Sequence, residues 1–396
     1  MGVRVPHVPL YSMQIGEANR FWICWSNPAA GSSPACITKI KNMEQFPHNE
    51  EVDFNKKLNV KFGIDPTADR LHLGHLIPLR FAKKMLDNGH NLDIVLGTFT
   101  AQLGDPSGKD SMRPILDSET TKDNAIALLP IIRRILKKDF NLHFNHEWFK
   151  RMNAIDMINI LSKFTANQLL SRDSFQKRIS NEDGIGMHEL TVPILQGFDS
   201  VHLKTDLEIG GNDQLFNFKI TRDLQRAFNQ KPEICMLMPI INGTDGRKMS
   251  KTFKNCIFLD DSPVDVFGKT MSISDELMKE WFMVFMDESI GHPMEAKKKL
   301  AFQITKEVWD EDNAKIALEH FERVIQKKNV PVEIKDIKDT DILKVIMELR
   351  KCSATEARRL LSQGAVKVND EKALEEKTLS SGDIVKVGKL NFAKIM

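Results

Sequence analysis

The sequence predicts an α/β protein on a parallel sheet, followed by an α-helical region and a small α+β module. Three observations predict this. An apolar strand-like run at 58–64 is followed by an amphipathic helical run at about 73–86 and a second apolar run at 93–97; strand, helix, strand at that spacing is a βαβ unit. Ser274-Asp275-Glu276 is a helix start, and apolar residues recur at helical spacing through 272–327. From about Thr340, two short helical patterns precede two short strand-like runs.

The elements follow in order. Residues 1–42 contain Arg4, Arg20, Lys39 and Lys41 but a single acid, Glu17, and show no period. They are expected to be a poorly ordered extension, with a transit segment as the alternative and Met43 as a plausible start. The strand at 58–64 ends in the turn Asp65-Pro66-Thr67-Ala68-Asp69, and Asn88-Gly89 stops the first helix. Residues 117–180 read as mostly helical, and 233–241 and 256–259 as strand-like. Asn329-Val330-Pro331 marks a linker. Beyond it lie helices at 342–350 and 354–362 and strands near 365–368 and 384–387. The predicted organisation is therefore a sheet domain at 43–260, a helical domain at 261–328, a linker at 329–340 and a module at 341–396.

Composition narrows the classes. At 396 residues, with 41% hydrophobic and 28% charged residues, the chain has material for two or three ordinary globular domains. A net charge of +2 means that a nucleic-acid surface must be a local patch. No apolar run is long enough to span a bilayer. The five cysteines, Cys24, Cys36, Cys235, Cys256 and Cys352, form no CxxC pair, which argues for reduced thiols in the cytoplasm and against a zinc site.

Two strings carry chemistry. In His72-Leu73-Gly74-His75 the histidines are three apart, on one face of a first helical turn. A helix N-terminus suits phosphate, and imidazoles there can donate to its oxygens. Gly74 is expected to let a ligand approach the backbone. Two surface histidines or two metal ligands would also explain the string, but no Cys/Asp/Glu cluster accompanies it. The turn after the strand lies where ligands of open parallel sheets bind. The second string, Asp245-Gly246-Arg247-Lys248-Met249-Ser250-Lys251-Thr252, puts three cations within five residues. It reads either as a solvated basic loop or as a flap, hinged at Gly243 and Gly246, whose lysines stabilise a departing pyrophosphate. Three further polar strings, 103–109 with Arg113 beyond, 192–199 and 208–214, carry more polar groups than a plain core needs, and the last reads as a glycine turn followed by a carboxylate and an amide.

Taken together, HLGH and KMSKT resemble the signature of class I aminoacyl-tRNA synthetases. With the polar strings in the same order, residues 58–396 resemble the bacterial form of the tyrosyl-tRNA synthetase family. That resemblance implies a Rossmann-like catalytic domain, a helical domain and a C-terminal S4-like RNA-binding module, the last carried by the run from Ser353 to Asn369. It implies ATP as substrate with Mg²⁺, L-tyrosine and tRNA(Tyr) as partners, a homodimer, no membrane and no resident metal.

Residue by residue, it implies catalytic roles for His72, His75, Lys248, Lys251 and Thr252. Gly63, Asp65, Thr67, Gly74, Gly210, Gly211, Asp213, Met249 and Ser250 would form the ATP site. Asp199 would accept from the substrate phenol, Asp105 and Gln196 would hold its ammonium, and Gln214 would sit near its carboxylate. Lys109 and Arg113 would handle the tRNA acceptor end or pyrophosphate, and Arg358 and Arg359 would meet tRNA. Two positions depart: Lys61 stands where the better-known form of the family has a tyrosine that partners the phenol, a lysine that the resemblance shares with relatives carrying the HLGH-type string, and Val192 replaces a tyrosine that the family normally has touching the ammonium. A paralogue activating another amino acid and a non-catalytic RNA-binding relative are the alternatives.

Overall fold

The structure, a computed structural model, describes residues 43–104, 116–250, 253–286, 289–326, 335–369, 371–388 and 391–396, with the strands 23–25 and 35–37. It divides into two compact units, Met1–Asp310 and Glu311–Met396.

In the first unit, two short strands, β1 (Ile23–Trp25) and β2 (Ala35–Ile37), pair antiparallel. The remainder of the expected N-terminal extension lies outside the described residues. Next come β3 (Glu44–Phe46), β4 (Asn59–Ile64), α1 (Leu73–Asp87), β5 (Asn91–Leu96) and the single turn α2 (Thr100–Leu103). Then follow α3 (Ser118–Leu136), β6 (Asn141–Phe144), α4 (His146–Phe149), α5 (Ala154–Leu161), α6 (Ala166–Leu170), α7 (Asp173–Ser180) and α8 (Met187–Leu203). β7 (Leu207–Gly211), α9 (Leu215–Ala227) and β8 (Ile234–Met238) complete the sheet, and α10 (Pro263–Met271), α11 (Asp275–Phe285) and α12 (Pro293–Val308) close the unit.

The sheet order is β3-β8-β7-β4-β5-β6, parallel except for β3 on β8. The chain leaves the central β4 toward β5 on one side and later returns as β7 on the other. That reversal opens a crevice at the carboxyl ends of β4 and β7. All five residues of β8 are buried, as expected for a parallel strand covered on both faces. α1 buries Leu73, Leu76, Ile77 and Phe81 against the sheet. Asp117 starts α3 by accepting from the N–H groups of Glu119 (2.9 Å) and Thr120 (2.8 Å). α8 starts on Glu189, which accepts from Gly186 N–H at 2.9 Å and pairs with buried Arg178.

The division differs from the predicted boundaries. No break falls at 260, because Val266, Trp281, Phe282 and Leu300 share one apolar core with Val60 and Leu79. Each such fully buried side chain contributes roughly 1.5–3 kcal/mol, enough to fuse the helices to the sheet. Three local expectations also change. β6 interrupts the stretch read as helical. The 208–214 string, read as a glycine turn, begins inside β7, at the centre of the sheet. Residues 256–259 form no strand; Phe258 makes one bridge to His72, with Leu73 N–H donating to Ile257 O at 2.8 Å.

The second unit contains α13 (Glu311–His320), β9 (Lys335–Ile337), α14 (Ile342–Arg350), α15 (Ala354–Ser362), β10 (Val366–Val368), β11 (Glu371–Lys372), β12 (Ile384–Val387) and β13 (Asn391–Ile395). Its sheet order is β11-β10-β12-β13-β9. Asp341 caps α14, accepting from Leu343 N–H at 2.8 Å, and Ser353 caps α15. Ile342, Ile346, Leu361, Val366 and Val385 pack into a core of their own. Part of the predicted linker, 335–337, is thus β9, a strand of this sheet.

Candidate active site

The crevice beside β4 is a cleft of about 910 Å³. Gly63 is the next-to-last residue of the strand, and a Cβ there would meet nothing within 4 Å and would project into open space. Asp65 and Thr67 follow in the turn, closed by Thr67 N–H donating to Asp65 O at 2.8 Å. Asp65 Oδ1 accepts from Thr100 Oγ1 at 2.7 Å. Gly97 permits this, since a side chain there would overlap the Asp65 carboxylate.

His72 is the N-cap of α1. Its Nδ1 accepts from Gly74 N–H at 3.2 Å, which leaves the ring proton of the neutral imidazole on Nε2. His75 Nδ1 lies 3.2 Å from His72 N, and the ring centroids are 4.1 Å apart. The histidines therefore form a reciprocal cap. Gly74 serves this cap: a Cβ would stand 3.0 Å from His72 Cε1. Gly74 also lines the cleft.

Across the cleft, residues 242–250 are organised by a residue the sequence reading missed. Buried Asn255 donates through Nδ2 to Asp245 Oδ1 (2.7 Å) and Lys248 O (3.2 Å), and its Oδ1 accepts from Ser250 N–H (2.8 Å). Gly243 is glycine because Asn255 fills the space of a Cβ, and Gly246 turns the chain at φ +81°. Arg247 is not a third cation for the cleft; it pairs with Asp245 at 2.6 Å and stacks on Phe253. The hydrogen bonds from Asn255 and Arg247 hold the Asp245 carboxyl at about 2. Lys248, Met249 and Ser250 line the cleft; Lys251 and Thr252 lie outside the described residues.

The far end of the cleft is built by α8, β7 and the β6–α4 corner. Gln196 and Asp199, one helical turn apart, both line it. Gly210, Gly211, Asp213 and Gln214 line it from the end of β7. Asn217 links two of the amides, donating through Nδ2 to Gln196 Oε1 and Gln214 Oε1, each at 2.8 Å. Asp199 is buried and accepts from Trp148 Nε1 (3.0 Å) and Asn145 Nδ2 (3.3 Å). Burial pushes its carboxyl up to about 7, against the Lys61 charge and these two bonds. Lys61 ion-pairs with Glu208 at 2.9 Å and donates to Gln196 O at 3.3 Å. Val192 is buried in α8 and is not among the cleft-lining residues described.

All fifteen described candidates of the nucleotide and amino-acid sites thus face one cleft. Asp105, Lys109 and Arg113 lie outside the described residues. Arg358 and Arg359 are on α15 in the other unit, paired with Glu376 (2.8 Å) and Glu356 (2.6 Å). Asn145, Trp148, Asn217, Asn255, Thr100 and Glu208 were not singled out individually. Their identity as polar or indole-bearing residues in apolar surroundings was the available signal; their partners lie across the fold.

Comparison with known proteins follows the same line. The family described as tRNA synthetases class I (W and Y) matches residues 53–371. The chain therefore belongs to the class I tRNA synthetases, in the group of the tryptophan and tyrosine enzymes. It is 39% identical over 362 residues to the tyrosine–tRNA ligase of Thermotoga maritima, covering 86% of this chain and 90% of that one. The tyrosine–tRNA ligase of Aquifex aeolicus is 37% identical, with 86% and 92% covered. These relatives put it with the bacterial tyrosyl-tRNA synthetases. Among solved structures, the C-terminally truncated mitochondrial tyrosyl-tRNA synthetases of Aspergillus nidulans (TM-score 0.56, 19% identity, 68% of this chain and 86% of that one) and Coccidioides posadasii (0.54, 21%, 67% and 83%) share its fold.

Proposed function

We propose that the chain is a tyrosine–tRNA ligase. It joins tyrosine to ATP as tyrosyl-adenylate, then passes the tyrosyl group to the terminal ribose of tRNA(Tyr). The observation that carries this reading is the common cleft, where the paired histidines, the Lys248 loop and the Asp199 pocket face one space. The tyrosine carboxylate attacks the α-phosphorus and pyrophosphate leaves; no protein nucleophile is required. Catalysis is positioning plus stabilisation of phosphate charge. His72 and His75 donate to phosphate oxygens, and Lys248, with Lys251 and Thr252 beyond it, meets the departing pyrophosphate. Gly63, Asp65, Thr67, Gly74, Gly210, Gly211, Met249 and Ser250 line the nucleotide, and Asp213 binds its ribose. Gln196 and Asp105 hold the ammonium, Gln214 sits by the carboxylate, and Asp199 accepts from the phenol.

ATP enters as its Mg²⁺ complex, the ion travelling with the triphosphate. Among the described residues, no group of three or more His, Cys, Asp or Glu is arranged to hold a metal. The second unit is read as an S4-like module whose Arg358 and Arg359 meet tRNA phosphates, with Lys109 and Arg113 near the acceptor end. A homodimer is favoured by exposed Ile155 and Ile158 on α5 and Met187 at the start of α8. No helix among the described residues is long and apolar enough to cross a membrane, and the described Cys235 and Cys352 are free thiols. A cytoplasmic site of action fits these thiols.

The decisive experiment is ATP–pyrophosphate exchange with a panel of amino acids. Tyrosine alone is expected to support exchange. Exchange with another amino acid, or with none, refutes the assignment.

A further inference from the structure

Beneath the amino-acid end of the cleft, the sheet carries a file of polar side chains that no catalytic step uses. Asp93 on β5, Lys61 on β4, Glu208 on β7 and Cys235 on β8 are register partners in adjacent parallel strands. Register partners project from the same face of a sheet, so the file is continuous. Lys61 and Glu208 are each 1% exposed. Asp93 is engaged outward, accepting from His143 Nε2 at 2.8 Å and Asn141 Nδ2 at 3.0 Å. Glu233, just before β8, is wholly buried, and burial plus the Glu208 charge pushes its carboxyl well up, toward the neutral form. What remains is one ammonium, Lys61, paired with Glu208 and lining the same cleft as Asp199.

Such a pair is a poor device for stability. Desolvating two charges costs about as much as their attraction returns, and well-packed apolar replacements are often neutral or better. Its presence under a ligand-facing carboxylate therefore calls for another explanation. The ammonium is fixed at both ends: Glu208 Oε1 at 2.9 Å and the carbonyl of Gln196, three residues before Asp199 on α8. Burial pushes Lys61 down, but the neighbouring carboxylates, Glu208 first among them, carry it above the ordinary lysine value, so it stays charged.

We propose that Lys61, anchored by Glu208, is a positioning residue for amino-acid selection: its ammonium keeps Asp199 an acceptor-only carboxylate, which favours a side chain ending in a hydroxyl over one ending in a bare ring. This rests on the tyrosine–tRNA ligase reading. A carboxylate is a stronger acceptor for a phenol than a neutral acid. A ligand without the hydroxyl leaves that buried charge unpaired, which is what rejects it. The other groups around Asp199 cannot replace Lys61. Asn145 and Trp148 are neutral donors, and Asp65 is a like charge that opposes ionisation. His202 stacks on Trp148 at 4.6 Å and His143 faces Asp93.

The test compares wild type, Lys61→Met and the double variant Lys61→Met/Glu208→Gln. The double variant removes both charges and leaves no orphaned carboxylate if the single one fails to fold. Pyrophosphate exchange is measured with tyrosine and with phenylalanine from about pH 6 to about pH 8.5. For wild type, kcat/KM for tyrosine is expected to rise with pH around a midpoint near neutrality. In the folded variant the midpoint moves up by about one unit or more, a loss of about fivefold or more at neutral pH that shrinks in base. The tyrosine-to-phenylalanine ratio falls in parallel. A folded variant with unchanged midpoint and ratio overturns the inference. So does an equal loss for both amino acids at every pH, which is what a structural role gives. Wild type inactive with tyrosine at every pH overturns the ligase reading itself, a result distinct from either.

Discussion

Trp148→Phe isolates one hydrogen bond at the centre of the site. The indole donates from Nε1 to Asp199 Oδ1 at 3.0 Å, and its ring stacks on His202 with centroids 4.6 Å apart. Phenylalanine retains an aromatic ring for that stack and loses the donor. A hydrogen bond to a buried charged group contributes about 1.5–3 kcal/mol, which corresponds to about 1–2 pKa units. The Asp199 carboxyl already stands at about 7, so losing the donor moves it further up. The sign is fixed: the carboxylate exists above this value, so raising the value removes acceptor at neutral pH. For a shift of about one unit, the ionised fraction at neutral pH drops from about one half to about one tenth. Tyrosine kcat/KM is therefore expected to fall about fivefold at neutral pH and to recover toward wild type in mild base. Phenylalanine, which has no hydroxyl to place, should change little. Pyrophosphate exchange over a pH series, with thermal melts as a folding control, measures both. An equal loss for the two amino acids, or a tyrosine loss that does not shrink with pH, refutes the reasoning.

Other consequences follow from the same geometry. Asn255→Ala removes the donor to Asp245 and Lys248 O and the acceptor for Ser250 N–H; adenylate formation is expected to slow by about 10²-fold through misplacement of the Lys248 loop, and unchanged single-turnover rates would count against that clamp. His75→Ala removes a ring proposed to stabilise phosphate charge and should lower kcat by about 10²–10³ with a smaller effect on KM for ATP; an effect on KM alone argues against it. Arg178→Met leaves Glu189 buried without its guanidinium partner, now at 2.9 Å, and should cost about 3–5 kcal/mol in denaturant unfolding. Burial pushes Glu189 up, but Arg178 and Gly186 N–H hold it below its ordinary value. The pair's contribution is therefore present above the unfolded-state pKa and lost as pH falls through the folded one, so the gap between wild type and variant should narrow in acid. Replacing Arg358 and Arg359 by alanine should flatten the salt dependence of tRNA charging by about one unit of slope per lost phosphate contact; an unaltered slope removes these arginines from the interface.

What the sequence disclosed, and what it hid, divides by distance along the chain. The nucleotide end was legible because its parts are local. His72, Gly74 and His75 lie in one helical turn, and Lys248 to Ser250 in one loop. The βαβ order was legible for the same reason, since β4, α1 and β5 each carry their own period. β6 was missed because four residues between helices carry too little pattern. The central strand β7 was missed because Glu208, Gly210 and Gly211 look like a turn until Glu208 has a lysine across the strand pair to meet it. The helices at 263–308 read as a domain because each has a clean amphipathic period, and periodicity reports that a face is buried without reporting against what.

The amino-acid end was legible only in part, and the reason bears on how selectivity is built. Asp199 and Gln196 were found as a spaced pair, but what makes Asp199 selective lies at long separation: Trp148 is 51 residues away and Asn145 is 54. Lys61 acts on Asp199 from β4, an element distant in sequence from α8. A short motif can fix where phosphate goes, since backbone donors and helix ends recognise charge through local geometry. On the proposed reading, telling a phenol from a phenyl ring depends instead on the charge of one buried carboxylate, which every neighbour in a low-dielectric interior helps to set. Lys61 shows the consequence. Viewed along the chain, it replaces an expected tyrosine and counts as a loss of one phenol contact. Its ammonium is tied to Glu208 and the carbonyl of Gln196 within the same cleft, so on the proposed reading it acts on the ligand through the charge of Asp199 and not by direct contact.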